Sequence, residues 1–173
     1  GLKITNDQFY DDNYADGSGS VGSWASKYPG AWGNSIGVSV CASAQAYEEV
    51  LGSGNQVAGA LAVGDTTVTV DDGTAFSVGD IIFLQEESGQ QYEVTGIATH
   101  VLTVRQLDNP NGGGIASVIA DNTTVRRRWK FYDLFDAAPG TSGWAVTQGL
   151  STAEDELHVV VYDTTGEITG YDI

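Results

Sequence analysis

Alternating apolar and polar positions predict a β-rich α+β fold, mainly antiparallel β. Ile36, Val38 and Val40 alternate with Gly37 and Ser39, the period of two that lays one face of a strand on a core. Between Gly52 and Gly114 come four short β runs, Val68–Val70, Ile81–Leu84, Tyr92–Ile97 and His100–Arg105. They are separated by Asp71-Asp72-Gly73, Val78-Gly79-Asp80 and Ser88-Gly89, and such close spacing with turn residues predicts a small antiparallel barrel or sandwich. Leu157–Tyr162 reads as a strand buried on both faces, turned by Thr164-Thr165-Gly166 into a hairpin partner at Glu167–Thr169. Ala42–Leu51 has good helix formers, with Ala44, Tyr47 and Leu51 at helical spacing. The polar stretch Leu2–Gly22, ending in Gly-Ser repeats, predicts a strand-poor arm.

Glycine-rich breaks set the expected organisation. Gly52-Ser53-Gly54-Asn55 and Asn109-Pro110-Asn111-Gly112-Gly113-Gly114 bracket the four β runs. The reading is a discontinuous β-rich domain of residues 1–55 and 115–173, with a barrel-like module of residues 56–114 inserted between two of its strands. Insertions at exposed hairpin tips are tolerated because the ends they need lie close together.

Tyr28-Pro29-Gly30-Ala31-Trp32-Gly33-Asn34 is expected to be a structural turn motif. Pro29 fixes φ, Gly30 accepts a positive one, and Gly33-Asn34 adds a second permissive step before the Ile36 strand. Tyr28 and Trp32 are expected to pack against the flanking strands. With Trp144, they are also the aromatics that could form a sugar-stacking platform in a binding module.

The 173 residues carry 23 acidic and 7 basic side chains, a formal net charge of −16. That balance argues against nucleic-acid binding by phosphate neutralisation and against an anionic membrane surface. There is no apolar run of about eighteen residues and no signal-peptide pattern. Four of the basic residues, Arg126, Arg127, Arg128 and Lys130, crowd into one short stretch. On a strand, Arg126, Arg128 and Lys130 share one face, opposite Arg127 and Trp129. Such a stripe suits either the chain's own acids or the acidic surface of an identical neighbour, which makes it a possible intersubunit contact.

No constellation of catalytic residues emerges, and no cofactor or metal is expected. Cys41, the single cysteine, reads as a small buried residue at a strand end. Asp71-Asp72-Gly73 and the Asp7–Asp16 run lack the spacing of a calcium loop and read as turn and solvated arm. His100 and His158 lie in apolar runs and read as structural, no nucleophile elbow is present, and Glu154-Asp155-Glu156 is the kind of cluster an acidic chain produces by chance. Asn122-Thr123-Thr124 matches the glycosylation acceptor pattern without a secretory context.

Three stretches, YPGAWGNSIGVSV (Tyr28–Val40), WKFYDLFDAAPGTSGWA (Trp129–Ala145) and DELHVVVYDTTGEITG (Asp155–Gly170), resemble the T4-like contractile phage tail sheath protein, in that family's order. The resemblance implies a non-enzymatic virion protein made in the host cytoplasm. Its partners would be other sheath copies and, in the parent protein, the tail tube and baseplate. Family members run to several hundred residues, and this chain lacks both methionine and the C-terminal assembly core, so a fragment preceding that core is expected, monomeric in isolation. The alternative class is a carbohydrate- or host-surface-binding β module of a phage or secreted protein.

Overall fold

A computed structural model describes residues 4–16, 18, 24–27, 30–109 and 111–170. Twelve elements are used below: α1 (Asp7–Asn13), α2 (Ala31–Ser35), β1 (Ile36–Cys41), α3 (Ala44–Tyr47), β2 (Glu48–Val50), β3 (Thr67–Thr69), β4 (Ile81–Phe83), β5 (Gln91–Ala98), β6 (Val101–Gln106), β7 (Arg126–Arg128), α4 (Gly143–Thr147) and β8 (His158–Asp163). The fold is mainly β, with antiparallel sheets and short helices, as the alternation predicts.

Two compact units form, one from Cys41 to His158 and the other from the flanks up to Val40 and from Val159. In the first unit six strands lie in the order β2-β7-β4-β5-β6-β3. The division therefore falls elsewhere than the expected boundaries after residues 55 and 114. The physical reason is that β7 pairs with both β2 and β4, so strands assigned to the flanks are hydrogen-bonded into the same sheet as the central runs. The core crosses those boundaries too, running from Leu51 through Val57, Val68, Ile82, Tyr92 and Leu102 to Ile119 and Val125. Each such aliphatic side chain, once buried, stabilises the fold by about 1.5–3 kcal/mol.

The sheet is not a closed barrel. Isolated bridges Gln56↔Thr124, Val57↔Val70 and Leu61↔Ile119 fasten the Gln56–Leu61 segment to its neighbours. A bulge between Val94 and Gly96 bends β5 against β6.

The expected helix at Ala42–Leu51 is only half formed. Ser43 caps α3 by accepting from the Ala46 amide, and the chain then extends as β2, where Glu48, Glu49 and Val50 face Arg128, Arg127 and Arg126. Cross-strand charge pairing there overrides helix propensity.

In the other unit, β1 pairs with β8. β8 is not buried on both faces, since Val159 and Val161 are exposed, as are Ile36 and Val40 on β1. The expected return strand at Glu167–Thr169 is also absent. Asp163 accepts from the Ile168 and Thr169 amides, which curls the chain into a turn instead. Gly37 lies under Tyr162: a Cβ there would come within 2.6 Å of the ring.

Candidate functional site

The basic stretch occupies β7, and its three arginines have different surroundings. Arg126 and Arg128 converge on one carboxylate, Glu48 of β2, at 3.5 and 3.4 Å. Arg128 also covers the Tyr132 ring, 4.7 Å from its centroid. The Arg126–Arg128 face thus meets acid of its own unit. Lys130 lies beyond the end of β7, with its ammonium 5.5 Å from the centre of the Phe131 ring and its stem against Gly79.

Arg127 points the opposite way and is largely buried. Its guanidinium donates to the Ala75 and Gln45 carbonyls at 2.7 and 2.9 Å and pairs with Glu49 at 3.1 Å. Asp80 stands 3.9 Å away. Burial pushes the Asp80 carboxyl above the ordinary aspartate range, against the Ser77 amide and Arg127, which favour its ionised form. The sequence places Arg127 on its own face, but nothing local reveals that it reaches backbone carbonyls far along the chain.

An aromatic cluster, not singled out from the sequence, follows β7. Trp129 and Phe131 are buried and meet edge to face, and Trp129 also packs on Phe135. His158 stacks on Phe135, and its Nε2 lies 2.8 Å from the Ala137 carbonyl, to which it donates. The Tyr47 hydroxyl is shared between the carbonyls of Tyr132 and Phe135 at 2.6 and 2.9 Å. These contacts hold the Trp129–Ala137 segment, which is the structural role read for His158. His100 instead accepts from the Gly73 amide at 3.0 Å in the turn between β5 and β6, so the expected run His100–Arg105 becomes a strand only from Val101.

Of the turn motif, Tyr28 and Pro29 lie outside the described residues. Gly30 adopts φ +125°, a region that excludes other residues, and caps α2. Two expectations need correction. Gly33 and Asn34 are not a second turn but part of α2, where the Asn34 amide donates to the Gly30 carbonyl. Trp32 is not packed: it is 71% exposed, because only Ser35 of this one-turn helix faces inward. Trp144, on α4, is 68% exposed.

Asp163 organises the β1–β8 unit. It accepts from the Ser35 and Thr169 hydroxyls and from two amides. Burial opposes ionisation, but these donors outweigh it and hold the carboxyl well below the usual range. The Thr165 hydroxyl donates to Ser35 Oγ at 2.7 Å.

Other acids hold turns. Asp72 caps the short 3-10 helix Gly73–Ala75 through the Thr74 amide. Asp155 accepts from the Ser142 amide and hydroxyl, and Glu156 from the Gly140 amide, so this carboxylate cluster ties down the loop before α4. Cys41 is buried, which pushes its thiol up and away from nucleophilic character.

A concavity of about 690 Å³ lies between Leu84–Ser88 and Ala116–Thr124. Gln85 and Asn122, on its opposite lips, have φ of 59° and 61°. Buried Glu86 is engaged below, accepting from the Tyr92 hydroxyl at 2.6 Å and from the amide and hydroxyl of Ser117. Tyr92 in turn accepts from the Ala116 amide, and burial pushes its phenol up from the ordinary tyrosine value. The chemistry of this cleft is hydrogen bonding.

Among the described residues no group of three His, Cys, Asp or Glu side chains is arranged to hold a metal, and no helix is long and apolar enough to cross a membrane. The chain matches no protein-family model, and no curated protein matches it.

Proposed function

We propose that this chain is the surface-facing segment of a contractile phage tail sheath protein. One observation supports the reading above all: the third of the stretches that resemble that family touches each of the other two. β1, from the first stretch, pairs with β8, from the third, while Trp129 and Phe135, from the second, stack on His158, the first residue of β8. Segments far apart in sequence that form common contacts are what a shared domain architecture requires.

In this reading the protein has no substrate and no cofactor. Its copies stack as helical rings around a tube and store free energy in repeated contacts biased between two arrangements. The chain covers the assembly, tunes lateral contacts through surfaces such as the Arg126–Lys130 stretch, and resides in the virion. Its acidity suits a surface that must not adhere to an anionic cell exterior.

Sedimentation velocity tests the proposal. The full-length parent is expected to sediment as large polymers and this chain alone as a monomer. A parent that stays monomeric would refute the reading.

A further inference from the structure

We propose that the groove between α1 and residues Trp24–Lys27 binds a neutral glycan. This does not depend on the sheath reading and would hold equally for a surface protein of another class. The cavity measures about 470 Å³, inside the span of about 300–1,000 Å³ usual for small-molecule sites.

The groove is built from a short, well-capped helix. Asn6 Oδ1 accepts from the Phe9 amide at 2.8 Å, Gln8 bonds Asp12 one turn on, and Phe9 meets Tyr14 edge to face. Those contacts leave another side of α1 to line the cavity. Asp7, Tyr10 and Asp11 fall at i, i+3 and i+4, neighbours on one helix face, and all three border the groove. Trp24 borders it from the other segment and is 59% exposed, which leaves a large part of its indole for a guest. Asn6, Ser26 and Lys27 contribute further polar lining.

Charge and shape select the class of guest. Two carboxylates, on a chain of net charge −16, repel phosphate, sulfate and acidic sugars. Lys27 in the same lining disfavours a cationic guest and offsets one carboxylate. A neutral molecule fits best if it has one apolar face for an aromatic wall and hydroxyls for carboxylate and ammonium groups. A sugar ring is that molecule: its polarised C–H face is attracted to the electron-rich indole, and its hydroxyls donate to carboxylates and accept from Lys27.

The full chain should be titrated calorimetrically with cellobiose, maltose, lactose and mannobiose, with sialyllactose and spermidine as charged comparisons. At least one neutral disaccharide is expected to bind, and Trp24→Ala to weaken it about tenfold, the loss expected for one stacking contact. Asp11→Asn should weaken the same ligand, and it keeps the proposal testable if Trp24→Ala disturbs the arm. Trp32→Ala and Trp144→Ala, which change exposed tryptophans elsewhere, should leave affinity unchanged. Absence of binding to every neutral sugar, binding only of sialyllactose or spermidine, or neutral-sugar affinity unaffected by both groove variants would overturn the proposal.

Discussion

The imidazole of His158 lies flat on the phenyl ring of Phe135, with 3.9 Å between ring centroids and 11° between planes. Trp129 is stacked on the same histidine at 6.5 Å, and Tyr47 meets it edge-on at 5.9 Å. The histidine thereby fastens the end of the Cys41–His158 unit to the segment that follows β7. His158→Ala is expected to destabilise this unit by about 0.5–1.5 kcal/mol through lost stacking, since the exposed Ala137 carbonyl can turn to water. Urea denaturation followed by tryptophan fluorescence reads the change, and an unaltered midpoint would show that the stack contributes nothing.

Adjacent arginines on β7 should behave differently. Arg127→Ala removes a buried guanidinium from two carbonyls and Glu49 and leaves Asp80 without its nearby cation, so a loss of about 3 kcal/mol is expected. Arg126→Ala breaks one half-exposed pair that Arg128 still serves, and should cost less than about 1 kcal/mol. Equal losses in chemical denaturation would mean that burial does not separate them.

Local pattern made much of this fold legible. The four central β runs appear as β3 to β6 within a residue or two, because apolar alternation and turn residues act locally. Partner choice was not legible. Glu48–Val50 carries helical spacing yet becomes a strand because three arginines lie opposite, about eighty residues away in sequence. For Trp32 the sequence allowed either packing or an exposed stacking platform; its exposure follows from the shortness of α2 and not from its own type. For the candidate site, the sequence marked the basic stretch and its two faces. It missed the Trp24–Tyr10 groove, since side chains joined across a glycine-serine stretch show no periodic signature.

The β1–β8 unit should lose stability in acid through Asp163. Its carboxyl is held below the ordinary aspartate value, so the stabilisation is complete above the unfolded value of about 4 and fades as pH falls below it. Asp163→Asn should therefore melt well below the wild type at neutral pH, with the gap closing in strong acid. A gap that stays constant across that range would rule out the carboxylate as its source.

Two glycine substitutions test different constraints. Gly30→Val meets open space, but its positive φ should cost about 1–3 kcal/mol. Gly37→Ala has no such backbone strain, and it must displace the Tyr162 ring and the Thr164 methyl. Gly37→Ala combined with Tyr162→Ala should recover part of the loss caused by Gly37→Ala alone, whereas no second-site change at Tyr162 should rescue Gly30→Val. Thermal melts of the four variants distinguish steric from conformational origin.

Negative-stain imaging of the full-length parent protein tests the sheath assignment most directly. The expected images show hollow tubes of helically arranged subunits, with density for this chain on the outer surface when it is marked by an antibody fragment. Dispersed particles with no tubular order, or tubes with the marker confined to the lumen, would contradict the account.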